Sequence, residues 1–363
     1  MTEIQALTLV KTALRDVEQD AVDALWVRPI MVPLEGSALS ERALGWGVVL
    51  ARRRHSPLLL VRVVEPWSAS PAGMPMYGST METSAFLPEL DRIPSENYLA
   101  EHAASLRAQY PTLWVQTDVR IGQAAAQLLD SEAEHHAQLV VMSTHSHSGA
   151  ERWVRGSVAE KMLHHGAAPI LLVRPSDDLP IMEGVPGNGI TVLVPLDRSE
   201  LAVGAVSEAL RLVRTFEGTD PTIVLYMALD EHTMPLVGRA WSVDDQDRSR
   251  TTAKRQAEVY LREVGGLLRA HGVRVEQLVD FAEDVSQAVV DAAVRAKANA
   301  IVMCTHGRGA FGRWLHGSVA DRVAHAAPMP VMLYRPPVPV QPTDIAPTAI
   351  PVTLVPAATA LTP

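Results

Sequence analysis

Cysteine is almost absent from this chain: Cys304 is the only one in 363 residues. A lone thiol excludes an intrachain disulfide and a cysteine-based zinc site. No stretch approaches the roughly 18 uninterrupted apolar residues that a membrane-spanning helix needs. The N-terminus also lacks the basic start and apolar run of a secretion signal, so the expected location is the cytoplasm. There is no excess of positive charge. A formal net charge of −9 argues against a general nucleic-acid binder, because such proteins present a basic face that releases phosphate counterions. The local run Arg52-Arg53-Arg54 is open to such a contact but is more simply a solvated helix end. Signatures of common chemistries are missing too: no G-x4-G-K-[ST] phosphate loop, no G-x-S-x-G nucleophile elbow, and no paired carboxylates at recognisable spacing. Catalysis is therefore not expected, beyond a slow turnover at most.

What the chain does have is duplication. "THSHSGAERWVRGSVAEKM" begins at Thr144 and "THGRGAFGRWLHGSVADRV" at Thr305. That separation is the size of a domain, not of a solenoid unit, and the chain is long enough for two domains that each bury a core. Residues 1–27 place Ile4, Leu7, Leu14, Val17, Val22 and Leu25 near the helical period, which predicts an amphipathic helix lying on the first domain. "RPIMVPLEGSALSERAL" reads as strand, turn and a helix starting near Ser40. The strand "SPLLLVRVVEP" follows. The Met-, Ser- and Pro-rich stretch from Trp67 to about Pro94 reads as a long loop. A helix at about 95–109, the strand "TLWVQTDV", a helix at about 123–135, the strand "AQLVVMS", the repeated loop and helix, and the strand "APILLVRP" complete the unit.

The pattern restarts with "ITVLVPLDRSELAVGAV", so the expected domains are 28–176 and 189–336, with a linker at 177–188. Strands apolar on both faces and alternating with helices predict a parallel α/β architecture. Residues 337–363 are rich in Pro, Ala and Thr, which predicts an extended or disordered tail. "VTLV" at 352–355 could add an edge strand to a partner.

Each repeated loop ends in Gly-Ser at a helix start, Gly156-Ser157 and Gly317-Ser318. The first N–H groups of a helix have no intrahelical acceptor and carry the positive end of its dipole, which suits a phosphate. Glycine lets an anion approach the backbone, and the serine hydroxyl adds a donor. The same residues also read as capping boxes, Ser157 with Glu160 and Ser318 with Asp321, in which the helix end is satisfied internally.

With these loops and the strands "LLLVRVVEP" and "VPLEGSALSERAL", the chain resembles a tandem universal stress protein. The resemblance implies two open-sheet α/β domains, each a five-stranded parallel sheet in the order 3-2-1-4-5 with helices on both faces. A ligand would bind where that order reverses, between the first and fourth strands. ATP-binding members of the family carry Gly-x2-Gly-x9-Gly-Ser/Thr in the loop. In the second domain this frame falls on Cys304, Gly307, Gly317 and Ser318, flanked by Arg308 and Val319. In the first it falls on Ser143, Ser146, Gly156 and Ser157, followed by Val158. A side chain where the loop turns left-handed costs roughly 1–2 kcal/mol, so the second domain is the better candidate. The resemblance also implies adenosine contacts from Pro195, Leu196 and Asp197 in domain two and from Pro33, Leu34 and Glu35 in domain one. The apolar contact at the end of the second strand falls on Met227 and on Val63, respectively. Either acid could instead cap the following helix.

The implied function is a nucleotide-binding stress-response protein that binds ATP, with Mg²⁺ arriving on the nucleotide, and acts through conformation or an unidentified protein partner. A scaffold of the same fold that has lost nucleotide binding is the competing reading. The serines at 143 and 146, and Glu283 where the first repeat has Gly122, favour it. An adenylating enzyme is a third reading, but "PLEGSALS" and "PLDRSELA" do not supply its Gly-rich loop. His145 with His147, and His164 with His165, lack the spacing of a common zinc site, so no protein-bound metal is expected. Trp153 and Trp314 suit loop packing better than base stacking, and Cys304 suits a small buried filler better than a redox sensor. Family domains pair through their last strands, so "PILLVRP" and "PVMLYRP" could pair within the chain as a pseudo-dimer or between two chains. No nucleic-acid or membrane partner is expected.

Overall fold

The computed structural model describes residues 3–22, 28–65, 81–143, 158–174, 189–216, 220–231, 243–305 and 319–335. After α1 (Glu3–Val22), the first half runs β1 (Ile30–Pro33), α2 (Ala38–Arg54), β2 (Leu58–Val64), α3 (Met81–Gln109) and β3 (Val115–Ile121), then α4 (Ala124–His135), β4 (Leu139–Ser143), α5 (Val158–His165) and β5 (Ile170–Val173). The second half repeats it: β6 (Thr191–Pro195), α6 (Glu200–Arg214), β7 (Thr222–Asp230), α7 (Val243–Ala270) and β8 (Arg274–Ala282), then α8 (Val285–Arg295), β9 (Ala300–Cys304), α9 (Val319–Ala326) and β10 (Val331–Tyr334).

The inner strands are predominantly apolar because successive side chains enter two different cores. Ile30, Val32, Leu58 and Leu60 join the core under α1, α2, α3, α6 and α7. Met31, Leu59 and Val61 join the core under α4, α5, α8 and α9. Each half has the order 3-2-1-4-5, and the two halves fuse into one ten-stranded sheet, β3-β2-β1-β4-β5-β10-β9-β6-β7-β8. The central pair is antiparallel, with Leu171 opposite Met332 and Leu172 opposite Val331; every other pair is parallel. The last strands of the halves thus pair within the chain.

Two arginines that follow these strands tie the halves together reciprocally. Arg174, after β5, donates to the Ala324 carbonyl of α9 at 2.9 Å. Arg335, after β10, donates to the His164 carbonyl of α5. Carbonyls in the last turn of a helix lack intrahelical donors and carry its partial negative charge, so a guanidinium satisfies both needs.

Two expectations are corrected. The N-terminal helix lies on the second half, against α6 and α7, and not on the first. The reason is in the faces offered. In α6, Val203, Val206, Ala209, Leu210 and Val213 are all buried, so the helix is apolar around most of its girth and has to be covered. Its counterpart α2 carries Glu41, Arg42, Arg52 and Arg53 exposed to solvent and needs no cover. Val10, Leu14 and Val17 of α1 supply the covering surface. Second, α3 starts at Met81, so 81–94 is helix and not loop. Pro88 and Pro94 suggested a break, since each removes one helical hydrogen bond, but Met81, Glu82, Ala85 and Leu87 before Pro88, and Glu89, Leu90 and Arg92 after it, favour helix. The rest of the expected loop, the linker and the tail lie outside the described residues.

Candidate functional site

In both halves the sheet order reverses at the first strand, so the turn after β1 lies beside the end of β4, and the turn after β6 beside the end of β9. The two first-strand turns are built alike. Leu34 N–H donates to the Val61 carbonyl at 2.8 Å, and Leu196 N–H to the Tyr226 carbonyl at 2.8 Å, which extends each strand past Pro33 and Pro195. The exposed acids Glu35 and Asp197 come next. A residue in left-handed backbone follows each acid, Gly36 at φ +94° and Arg198 at φ +64°.

The helix caps are serines. Ser40 N–H donates to Ser37 Oγ at 3.2 Å, and Ala202 N–H to Ser199 Oγ at 3.1 Å. The acids brace these caps and do not replace them. The Ser37 hydroxyl donates to Glu35 Oε1, and the Ser199 N–H donates to Asp197 Oδ1 at 2.9 Å. The cap starts α2 two residues earlier than expected, at Ala38.

Ser143 and Cys304 end β4 and β9 at equivalent places. Ser143 is buried. A β-carbon on Gly204 of α6 would sit 3.3 Å from Cys304 Sγ, so the thiol lies against that helix. Burial pushes the thiol's pKa up, against a smaller downward pull from the Ala205 backbone; the group stays protonated, as a filler would. Val158 and Val319 open α5 and α9, with Glu160 and Asp321 in their first turns. Ser146, Gly156, Ser157, Gly307, Arg308, Gly317 and Ser318 lie outside the described residues, as do His145, His147, Trp153 and Trp314. His164 and His165 are on α5, with ring centroids 6.3 Å apart. Among the described residues no group of three or more His, Cys, Asp or Glu side chains could hold a metal ion.

Strand register separates the two residues expected to make the apolar contact. Val61 and Tyr226 occupy equivalent places, opposite Pro33 and Pro195. Arg62 therefore corresponds to Met227, and Val63 to Ala228. Val63 and Ala228 pack toward the core under α4 and α8, whereas Met227 is buried in the opposite core. The counterpart of Val63 is thus Ala228 and not Met227; the second repeat has a longer α6–β7 connection, and counting from the strand's apolar run misses the shift.

Sequence reasoning also missed a tyrosine beside each acid. Tyr98 of α3 and Tyr260 of α7 are equivalent. The match is anchored by Arg107 and Arg269, which follow them at the same spacing and donate to the Val115 and Val275 carbonyls at 2.7 and 3.1 Å. Each ring carries a guanidinium: Arg62 lies 4.6 Å from the Tyr98 centroid, and Arg198 lies 5.9 Å from that of Tyr260. Burial raises the Tyr98 pKa, Glu41 adds to the rise, and Arg62 opposes it. Burial pushes Tyr260 up to about 12, aided by the charge of Asp197 and opposed by Arg198. Around Tyr98 the setting is polar, with Glu41 accepting its hydroxyl at 3.4 Å and His102 stacked edge-on at 4.5 Å. Around Tyr260 the matching residues are Val203 and Val264, both buried. The signal available from sequence was the recurrence of Tyr-Leu at one place in both repeats.

Known proteins share this fold and its duplication. The universal stress protein family profile matches residues 27–174 and 191–335. A universal stress protein of Mycolicibacterium smegmatis is 28% identical over 315 residues, covering 85% of this chain and 97% of its own. One from Mycobacterium tuberculosis is 25% identical over 314 residues, covering 84% and 96%. Among solved structures, a universal stress protein from Archaeoglobus fulgidus superposes with a TM-score of 0.60 at 17% identity, over 85% of this chain and 96% of its own, a likeness of fold. With the profile matching both halves of the sheet, this chain belongs to the universal stress protein family and carries its domain twice.

Proposed function

We propose that the protein binds ATP, with Mg²⁺ on the nucleotide, in the cleft at the switch point of the second repeat, and that it works as a nucleotide-dependent regulatory or partner-binding module. The observation that carries this reading is the β6–α6 turn. It holds Asp197 exposed at the reversal of strand order while Ser199 caps the helix, which leaves the carboxylate accessible at the place where open α/β sheets bind ligands. Gly307, Gly317 and Ser318 add the sequence pattern that would receive phosphates at the start of α9. The first cleft has Glu35 for Asp197 and serines at 143 and 146, and it binds more weakly or not at all. Nothing in either turn resembles a general base placed for hydrolysis, so the bound nucleotide acts as a signal, and turnover, where present, is slow.

Titration calorimetry of Mg-ATP into the nucleotide-stripped chain tests this. One ATP per chain, lost in Gly317→Asp, is the expected result. Two per chain would mean that the serines of the first loop substitute for glycine. No binding at millimolar ATP would favour the alternative, a scaffold of the same fold, which the serines at 143 and 146 support.

A further inference from the structure

The chain sets a guanidinium over the equivalent tyrosine in both repeats, at 4.6 and 5.9 Å from the ring centroid, but brings it from two different backbone sites. In the first repeat it comes from β2: Arg62 reaches over Tyr98 and lies against the turn after β1, where a β-carbon on Gly36 would stand 3.0 Å from Arg62 Nη1. In the second repeat Met227 occupies the strand position, and the charge comes from the turn itself, where Arg198 replaces Gly36 and lies over Tyr260. The two arrangements compete for one space. Arginine on the strand crowds a side chain in the turn, which would have to push the guanidinium aside, and glycine stands there; with Met227 on the strand, the turn position carries a side chain.

The turn position is left-handed in both repeats, at φ +94° and +64°. Glycine adopts that backbone without strain, and a residue with a β-carbon is disfavoured there. With Met227 on the strand, glycine at 198 would fit and would be the more stable choice. The second repeat instead carries arginine at a conformational cost, and the gain is a cation beside Asp197. A solvated surface charge offers no such return, because exposed ion pairs contribute little to stability. The ring beneath each guanidinium holds it in place through the cation–π contact.

We propose that Arg198 and Arg62 are equivalent anion-recognition residues at the mouths of the two clefts, each selecting the phosphorylated form of the ligand over the free nucleoside. The inference rests on the nucleotide reading above. The carboxylates Asp197 and Glu35 suit the hydroxyl and amino groups of a nucleoside and repel phosphate. A neighbouring guanidinium offsets that repulsion and can hold a phosphate oxygen with paired N–H donors. Adenosine, with no charge, would gain nothing from it.

The test is calorimetric titration of Mg-ATP and, separately, of adenosine into the full chain and three variants: Arg198→Gln, Arg198→Gly and the double variant Arg198→Gly/Met227→Arg. For Arg198→Gln and Arg198→Gly the expected result is roughly tenfold weaker ATP binding, the loss typical of one charge-assisted contact, with adenosine affinity unchanged. Arg198→Gly should also melt at a higher temperature than the parent, since left-handed strain is relieved. The double variant, which copies the first repeat, should regain ATP affinity. Unchanged ATP affinity in both single variants, or equal losses for ATP and adenosine, would overturn the proposal while leaving the nucleotide reading intact. A parent chain that binds neither ligand would overturn both. If the double variant does not fold, the ATP-to-adenosine ratio in the single variants decides.

Discussion

Two single residues show how far burial sets chemistry in this fold. Cys304 is the one thiol in the chain, and burial raises its pKa. The thiolate is the reactive form, so the native protein should label slowly with a disulfide reagent at mildly alkaline pH and rapidly in denaturant. Fast labelling of the native chain would restore the redox-sensor reading. Glu132 of α4 accepts the Ala167 and Ala168 N–H groups at 2.6 and 2.8 Å. Desolvation raises its pKa more than these bonds lower it. A carboxyl whose folded pKa lies above its unfolded value contributes stability that is complete below the unfolded pKa and lost as pH rises through the folded one. Relative to Glu132→Gln, the parent should therefore lose stability from about pH 4.5 toward neutrality, read as a falling urea midpoint. The second repeat has Ala293 at this place, so the effect belongs to the first half alone.

At the scale of elements, α1 is the clearest case of structure departing from pattern. Its apolar spacing identified a helix with one buried stripe, and that was correct. Spacing cannot say which partner the stripe meets. The answer lay in a comparison of α2 with α6, where Glu41 and Arg42 of one stand against Val203 and Gly204 of the other and leave only α6 in need of cover. Leu14 is 1% exposed. Leu14→Ala should cost about 2–5 kcal/mol, as truncations in a packed core do, measured by urea denaturation; a cost below about 1 kcal/mol, the range of ordinary surface changes, would mean that α1 is loosely seated. The strand pattern was legible for the opposite reason. Ile30, Met31 and Val32 alternate between two apolar cores, and such a run has few other solutions in a chain that alternates with helices. The placement of Glu35 and Asp197 after the first strand of each repeat was legible because it depends on identity at a fixed offset. The correspondence between the second strands was misread where a connection changed length, as for Met227 in place of Ala228, and the pairing of Arg62 with Tyr98 was missed because it is a contact between elements.

For the whole molecule, the central pair of β5 and β10 makes two repeats into one body, and α1 strengthens the union by reaching from the first half to the second. Arg174 and Arg335 cap helices of the opposite half. These ties do not depend on the linker. Residues 1–176 and 189–363 produced as separate polypeptides should therefore copurify as a one-to-one complex and melt in a single transition, and two separate transitions would show that the seam is too weak to couple the halves. The direction of the seam has a further consequence. Because β5 and β10 run antiparallel, the strands of the two repeats point opposite ways, and Glu35 and Asp197 stand on opposite rims of the sheet. The two acid-bearing turns therefore face away from each other across the width of the sheet, so whatever docks at one rim leaves the other uncovered, and a chain occupied at one rim alone would be polar in the way an arrow is, with a marked end and a blank one.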